Sequence, residues 1–295
     1  MRIGITGATG FIGTALAKAA TDRGHQVIAF SRRKGTSLPC TTEVRLFDTS
    51  RPESLDPSGL DALVHLAGEN VLGYWTRAKK QRILASRVDS TRGIVEALKN
   101  CAQRPASFIC ASGTGAYGHR GDEILTESSS GGPGFLADVC AKWEASAREA
   151  ASLGMTVSHL RTGMVLGHDG GAWPLLRRIF RWRIGSRLGN GRQWVPWIHL
   201  DDEVGIILEA AEKGIGGPIN LSSPNPVTNA EFTRRIATAL KTTTLPPVPA
   251  FMMRLLLGEL AGVALDSQRV QPKVMLDRGY TFQHPTLDGA LAACL

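Results

Sequence analysis

The sequence predicts an α/β protein, in which a doubly wound parallel sheet precedes a smaller C-terminal α/β domain. Apolar segments typical of buried strands alternate with segments of helical spacing, and a glycine-rich turn follows the first strand. After about Gly163, Gly, Trp and Arg and then Pro become frequent. We therefore predict a first domain at residues 1–163, with strand contributions from later residues. The second domain covers 164–295 and ends in a helical module at 247–295.

Short apolar runs identify the strands, and several of these are apolar on both faces, as buried parallel strands are. The predicted strands are Arg2–Thr6, Val27–Phe30, Val44–Asp48, Ala62–Gly68, Ser107–Ser112 and Thr156–Arg161. Apolar residues at helical spacing fill the intervals between strands. The predicted helices run from Phe11 to about Gly24, from about Thr76 to Ala102, and from Asp138 to Leu153 before Gly154.

Composition excludes several classes of protein. Hydrophobic residues make up 43% and charged residues 20% of the 295 residues, which excludes a disordered chain. No stretch of about 18 residues is apolar and free of charge, and the N-terminus has no signal-peptide pattern, so we expect no membrane partner. Five scattered cysteines form no Cys-x-x-Cys pair or Cys/His cluster, so we predict no metal site and reduced thiols in the cytoplasm.

Glycines recur at every third position between the first strand and the first helix, at Gly7, Gly10 and Gly13. Small residues at this spacing allow a tight turn, a close approach to a pyrophosphate and close packing of helix on strand. The helix N-terminus then offers N–H groups to the phosphates. We predict a Rossmann-like dinucleotide site; the alternative is a glycine turn without a ligand. The predicted loop contacts are Gly7, Thr9, Gly10, Phe11, Ile12 and Gly13.

The end of the second strand predicts which dinucleotide is bound. Enzymes that use NAD place a carboxylate there for the ribose 2′-hydroxyl, whereas Ser31, Arg32 and Arg33 place a hydroxyl and two cations. Guanidinium groups favour a 2′-phosphate, so we predict NADP(H), with Arg32 as the main selector and Ser31 or Arg33 assisting. The alternative is a solvated charge run. Asp48, after the third strand, is either an acceptor for the adenine amino group or an ordinary loop carboxylate.

Several segments resemble motifs of the extended short-chain dehydrogenase/reductase superfamily, in its NAD-dependent epimerase/dehydratase group. These segments are Thr6–Gly13, His65–Gly68, Pro196–Asp202 and Ile219–Leu221 with Pro226–Thr228. Ala67–Asn70, Ala141–Glu144 and Trp197–His199 further resemble a branch labelled epimerase family protein, nucleoside-diphosphate-sugar epimerase or cell division inhibitor. That branch carries an extra C-terminal helical module, which residues 247–295 would match.

The resemblance implies further cofactor contacts beyond the glycine loop. The fourth-strand motif places Leu66–Gly68 beside the adenosine, and Lys142 would hold the nicotinamide ribose. Arg87 either reaches the cofactor diphosphate or ribose or is a solvated helix residue. The full set of expected contacts outside the loop and the second strand is Asp48, Leu66, Ala67, Gly68, Arg87, Lys142 and Val165.

The superfamily's catalytic Tyr-x-x-x-Lys pair is missing. Four residues after Tyr74, Tyr117 and Tyr280 come Ala78, Gly121 and His284. Lys142 stands where the resemblance places the lysine, with Asp138 four residues before it; these two form either an ion pair on one helix face or a plain surface pair.

Other polar residues remain as candidates for contact with a substrate. Gly113 aligns with the superfamily's catalytic hydroxyl, and Ser112 and Thr114 flank it. Glu69 follows the fourth strand and is either an acid/base or a loop residue, whereas His199 is more consistent with a structural role. The catalytic candidates are therefore Ser112, Thr114, Lys142 and Glu69.

An arginine-rich segment in the second domain suggests an anionic ligand. Its arginines are Arg177, Arg178, Arg181, Arg183, Arg187 and Arg192, interleaved with four tryptophans. We prefer a pocket or rim for an anion such as a nucleotide diphosphate over a nucleic-acid surface, although most of these side chains would be solvated in either case.

Together these observations predict an NADP(H)-binding oxidoreductase or epimerase with an altered catalytic motif. Its substrate would be a small molecule, with an anion or a sugar nucleotide as one expectation, and the protein a monomer or homodimer. The alternative is a non-catalytic NADP(H)-binding sensor or regulatory protein.

Overall fold

The computed structural model describes residues 1–32, 38–48 and 51–295, in which the central element is a seven-stranded parallel sheet. Its strands are β1 (Arg2–Thr6), β2 (Gln26–Ser31), β3 (Glu43–Leu46), β4 (Ala62–His65), β5 (Ser107–Gly113), β6 (Thr156–Thr162) and β7 (Gly217–Leu221). The spatial order is β7-β6-β5-β4-β1-β2-β3. The chain therefore winds outward from β1 in both directions, and the predicted doubly wound fold is confirmed.

Helices cover both faces of this sheet. Further helices pack together in the C-terminal half of the molecule. The described helices are α1 (Phe11–Asp22), α2 (Arg77–Asn100), α3 (Phe135–Arg148), α4 (Trp173–Arg181), α5 (Leu200–Lys213), α6 (Asn229–Ala239), α7 (Ala250–Leu257), α8 (Gly262–Leu265), α9 (Lys273–Asp277) and α10 (Leu287–Cys294). None of the helices in the described part of the chain has the length and hydropathy that a membrane span requires.

Short strands and 3-10 turns complete the described structure. The short strands are Ile124–Leu125, Met164–Gly167, Gly170–Gly171, Ser186–Leu188, Trp194–Val195, Trp197–His199, Val227–Thr228, Leu245–Val248 and Arg269–Val270. The 3-10 turns are Pro52–Ser54, Thr114–Tyr117, Glu149–Leu153 and Gly258–Ala261. The third of these turns closes the helix predicted over 138–153, and Gly154 ends it with a φ of +81°.

Alternation along the strands divides the sheet's core into two layers. Val64 of β4 and Ile109 of β5 belong to the cluster under α1 and α5. Their neighbours Leu63 and Phe108 belong to the opposite cluster, under α2 and α3. Both faces are buried because successive side chains of a strand point in opposite directions, which explains why these strands read as continuously apolar.

A third cluster supports the C-terminal half, where α4, α6 and α10 pack around the strand Met164–Gly167. The C-terminal segment predicted as a helical module connects this cluster to the sheet. Met275 and Phe282 join the cluster beneath α5, whereas Leu287 and Leu291 join the third cluster. The segment therefore holds the two halves of the molecule together rather than standing apart from them.

Candidate functional site

The loop between β1 and α1 is a tight turn whose geometry requires glycine. Gly7 has a φ of +74°, and its carbonyl accepts a 2.9 Å hydrogen bond from the Gly10 N–H. A Cβ at Gly13 would lie 2.2 Å from the Gly7 oxygen, so α1 approaches the loop more closely than any side chain allows. A Cβ at Gly10 would meet only that oxygen within 4 Å, at 3.2 Å, which leaves the space beside the turn open.

The N-terminus of α1 is available to a ligand because no side chain caps it. Thr9 is exposed, and the ring of Phe11 packs against Gly170, so Phe11 offers only its backbone to the loop. Ile12 packs against the core beneath α1 and α5, and Val165 is buried within the same core. The structure thus brings the predicted loop residues together at the carboxyl edge of β1.

The end of β2 lies beside this loop. Ser31 is buried as the last residue of the strand, and Arg32 follows it with an exposed side chain. Asp48 is half-buried after β3, where its carboxylate lies 3.8 Å from the Arg51 Nε. Arg33 lies outside the described residues.

The end of β4 completes the other side of the loop. A Cβ at Gly7 would lie 3.1 Å from the Ala67 nitrogen, so Leu66–Gly68 and the glycine loop touch across the point where the winding of the sheet reverses. Arg87 reaches into this region from α2, where its Nη1 donates to the Glu69 carbonyl at 3.0 Å. Its guanidinium also lies 5.1 Å from the Trp143 ring, and burial lowers its pKa.

Glu69, which the sequence suggests as an acid or base, is held by cations of α2. Lys79 Nζ donates to its carboxylate at 2.8 Å, and Arg82 lies 3.7 Å away. The hydrogen bond and charge of Lys79 lower the pKa of Glu69. Its side chain does not line the large cavity between the strand ends and the C-terminal half.

Ser112, at the end of β5, is held by a network of buried polar groups. Its hydroxyl donates to Glu144 Oε1 of α3 at 2.8 Å. Arg161 of β6 donates to both oxygens of Glu144, each at 2.9 Å. Burial raises the pKa of Glu144, but the hydrogen bonds and charge of Arg161 outweigh burial and hold it below its usual value. Glu144 is therefore an ionised acceptor, to which the Ser112 hydroxyl donates its hydrogen bond.

Tyr117 extends the network toward β7. Its hydroxyl accepts from Arg161 Nη1 at 3.1 Å and lies 2.7 Å from the Asn220 Oδ1, to which it donates. Burial raises the pKa of Tyr117, so it remains a neutral phenol. The sequence pointed to Ser112 but not to roles for Glu144 and Arg161, although Glu144 ends the motif segment Ala141–Glu144.

The helix α3 turns a different face to Ser112 than the sequence suggested. Leu136 and Cys140, one helical turn apart, line the cavity, and Cys140 Sγ lies 3.7 Å from the Gly113 carbonyl. Asp138 and Lys142 are exposed instead, and no ion pair joins them in the described chain. The apolar residues of α3 set this orientation, because their burial determines which face meets the sheet. The expectation that Lys142 holds the nicotinamide ribose stays a prediction, with its side chain exposed on α3.

The Cys140 thiol stays protonated, because burial raises its pKa to about 11. Thr114 is buried beside Gly113 at the start of a 3-10 turn and also lines the cavity. One side of the cavity therefore holds Ser112, Thr114 and Cys140.

His199 does not line the cavity and instead supports the fold. It precedes α5 and its Nδ1 accepts a 3.2 Å hydrogen bond from the Asp201 N–H, which caps the helix. The centroid of its ring lies 3.9 Å from that of His284, with the two rings tilted by 52°. Burial, together with the charge of His284, lowers the pKa of His199 to about 4.

A cavity of about 980 Å³ lies between the strand ends and the C-terminal half. Ser112, Thr114 and Met164 line its floor. Its walls come from α3, α4, α6 and the C-terminal segment after residue 253. None of the six arginines of residues 177–192 lies on the wall of this cavity, and a role at its rim stays a prediction. Leu176 and Phe180 of α4 face the cavity, whereas Arg178 and Arg181 of the same helix are exposed.

Comparison with known proteins relates most of the chain to one family. The model of the NAD dependent epimerase/dehydratase family matches residues 3–222, and that of a domain of unknown function (DUF1731) matches 248–294. The epimerase family protein YfhF of Bacillus subtilis is 34% identical over 296 residues, covering 99% of this chain and 97% of that protein.

Two solved structures illustrate the range of similarity. The crystal structure of human epimerase family protein SDR39U1 with NADPH is 33% identical, with a TM-score of 0.89 over 99% of this chain and 98% of that chain. MoeE5 in complex with UDP-glucuronic acid and NAD is 21% identical, with a TM-score of 0.78 over 99% of this chain and 97% of that chain. The likeness to MoeE5 is one of fold alone.

Proposed function

Because the chain belongs to the NAD-dependent epimerase/dehydratase family, we propose that it binds NADP(H) and transfers hydride to or from a small molecule in the cavity. The observation that carries this proposal is the position of Ser112, held by Glu144 where the cavity meets the carboxyl edge of the sheet. Ligands of doubly wound sheets bind at that edge. The NADPH complex of the human relative supports the same cofactor here.

The residues present fit NADP(H). The open turn at Gly10 and the uncapped N-terminus of α1 would receive the pyrophosphate. Arg32 would pair with the 2′-phosphate, and Ser31 would support it from the end of β2. Leu66–Gly68 and Arg87 border the same crevice on its other side.

The chemistry on the protein's side differs from that of a Tyr-Lys pair. When bound, NADPH supplies a hydride to a carbonyl carbon and becomes NADP⁺, while the carbonyl oxygen takes up a proton from water. The cavity face of α3 presents Leu136 and Cys140, neither of which is a phenolate or a cation. Ser112 is then the polar contact for the reacting oxygen. Because its proton is directed to ionised Glu144, its lone pairs accept from the hydroxyl of an alcohol substrate, whereas a carbonyl oxygen needs a donor such as the Thr114 hydroxyl, which also lines the cavity.

Two measurements test this function. Native mass spectrometry and calorimetry should detect NADPH binding with an affinity well above that for NADH. Absorbance of the reduced nicotinamide should then fall when a panel of carbonyl compounds is added. Binding without turnover of any carbonyl or alcohol would remove the hydride-transfer part of the proposal.

A non-catalytic sensor of NADP(H) is the second candidate, favoured by Leu136 and Cys140 standing on the cavity face. A sensor must present different surfaces with the two redox states of the cofactor. Capture of partners from a lysate with NADP⁺ and with NADPH separately tests it. Identical partner sets in the two states would argue against a sensor.

A further inference from the structure

We propose that the cavity binds an uncharged, largely apolar molecule with a single hydroxyl or carbonyl group, rather than a sugar nucleotide. This inference rests on the proposed function and names its substrate class. It is carried by the juxtaposition of three apolar helix faces around the Ser112 hydroxyl, and by the charges on the cavity wall.

The walls are apolar because three helices turn the same kind of stripe inward. In α4 the stripe is Leu176 and Phe180, preceded by Ala172 at the N-cap, and in α6 it is Phe232 and Ile236. Residues spaced three or four apart share one face of a helix, so each stripe forms a continuous apolar surface. From α3 come Phe135, Leu136 and Trp143, and further apolar residues follow from Val71, Leu72, Trp75 and Trp194. A nucleoside diphosphate would leave its polar groups against these surfaces without partners.

Several polar side chains on the wall already serve the protein's own backbone. Asn229 Oδ1 accepts from the Leu188 N–H at 2.9 Å, and Gln268 Nε2 donates to the Gly118 carbonyl at 3.1 Å. Both are buried. The polar anchors at the strand end are therefore the Ser112 hydroxyl, which can accept from an alcohol, and the Thr114 hydroxyl, which can donate to a carbonyl oxygen.

The charged residues on the wall do not suit a diphosphate. Among the described residues these are Arg87, Arg254, Glu259 and Asp266. Arg87 is engaged with the Glu69 and Ile83 carbonyls and lies over Trp143. Arg254 is accompanied on the same segment by the two carboxylates. Glu259 is itself paired with Lys80, so the like charge that a diphosphate near Arg254 would meet is the Asp266 carboxylate, which opposes binding.

The arginine-rich segment supplies no cation to the cavity wall. Arg178, Arg181, Arg183, Arg187 and Arg192 are exposed, and Arg177 is half-buried. None of these side chains lines the cavity. The cavity volume of about 980 Å³ is at the upper end of small-molecule sites, which range from about 300 to 1,000 Å³. An aromatic or aliphatic ketone or alcohol of moderate size fits this space and this surface.

The test compares two probes on the NADP(H)-loaded protein by calorimetry. The probes are 4-phenyl-2-butanone, an uncharged aromatic ketone, and UDP-glucose. We expect saturable binding of the ketone and oxidation of NADPH that depends on it, and no binding of UDP-glucose at millimolar concentration. UDP-glucose binding, or failure of both the ketone and a longer homologue such as 2-decanone to bind, would overturn the inference.

A pair of neighbouring variants places the probe in the cavity. Leu176→Arg puts a cation on the wall, whereas Leu175→Arg puts the same cation on an exposed neighbouring position. We expect Leu176→Arg to weaken ketone binding at least tenfold and Leu175→Arg to leave it within twofold, with NADPH affinity unchanged in both. Equal effects would overturn the inference. Leu176→Asn gives the same comparison without a charge if Leu176→Arg fails to fold.

The readouts separate this inference from the proposed function. Loss of all NADPH binding in the unsubstituted protein would defeat the proposed function itself. Tight NADPH binding together with UDP-glucose binding that Leu176→Arg abolishes would leave the cofactor assignment intact and refute the apolar substrate.

Discussion

Ser112 Oγ donates to Glu144 Oε1 across 2.8 Å, and this bond joins the end of β5 to the middle of α3. Glu144 in turn accepts two hydrogen bonds from Arg161, so one buried carboxylate connects two strands and a helix at the cavity floor. The position of the hydroxyl is therefore set by an ion pair that lies behind it. Stability and activity should depend on that pair in different ways.

Glu144→Gln should destabilise the folded protein by about 3 kcal/mol, because Arg161 would be left buried without an anion. Urea denaturation followed by circular dichroism measures the change in the free energy of unfolding. Glu149→Gln, at an exposed position one turn further along, is the control and should change stability by less than about 0.5 kcal/mol. A similar small change in both variants would contradict a structural role for the ion pair.

Ser112→Ala should lower kcat/KM for the NADP⁺-dependent oxidation of 4-phenyl-2-butanol, the alcohol form of the ketone probe, by about tenfold to a hundredfold, since the acceptor for the reacting hydroxyl is lost. NADPH affinity should stay within twofold, because the cofactor is held elsewhere. Steady-state absorbance of the reduced nicotinamide separates kcat from KM. Ser152→Ala, on the exposed 3-10 turn, serves as the matched control. If Ser112→Ala turns over as fast as the control, Ser112 does not contact the substrate.

Arg32→Ala should weaken NADPH binding by about 1–3 kcal/mol, as for a lost charge-assisted hydrogen bond, and leave NADH binding nearly unchanged. Calorimetry with both cofactors gives the difference. Arg181→Ala, an exposed arginine of α4, controls for the change in net charge. Equal losses for NADPH and NADH would show that Arg32 does not recognise the 2′-phosphate.

Two glycine variants should behave differently. Gly13→Ala places a Cβ 2.2 Å from the Gly7 oxygen and should destabilise the free protein by at least about 2 kcal/mol. Gly10→Ala meets that oxygen at 3.2 Å and should change stability less, yet reduce NADPH affinity at least tenfold because the space for phosphate is filled. Thermal unfolding and calorimetry measure the two effects. An unchanged NADPH affinity in Gly10→Ala would place the pyrophosphate elsewhere.

Acid should destabilise the protein through His65. Burial, with the charge of Arg87, lowers the pKa of His65 from 6.5 to about 4, and its Nδ1 lies 2.7 Å from Thr6 Oγ1. The stabilisation from a neutral His65 is complete above pH 6.5 and is lost as the pH falls toward 4, because the unfolded chain binds the proton first.

His65→Gln should therefore reduce the loss of stability between pH 7 and pH 5 by about 2 kcal/mol, as measured by urea denaturation at each pH. His168→Gln, at an exposed histidine, controls for the loss of an imidazole from the chain. A His65→Gln protein with the same pH dependence as the unsubstituted chain would rule out this contribution.

The local sequence pattern was sufficient to predict most strands of the sheet and the glycine loop after β1. The period of apolar residues predicted six of the seven sheet strands, and the spacing of Gly7, Gly10 and Gly13 predicted the turn, because both depend on the conformation of consecutive residues. The predicted NADP(H) preference likewise needs only the residues that directly follow β2. These features could be read without knowing how any helix packs.

Packing decided the rest of the site. The rotation of α3 about its axis brought Leu136 and Cys140, rather than Asp138 and Lys142, to the cavity, and that of α4 turned Leu176 inward. Glu144 meets Arg161 only after α3 has docked on the sheet. Such contacts depend on which apolar faces from distant parts of the chain are buried against each other. The local order of residues does not specify how each helix is rotated when it packs.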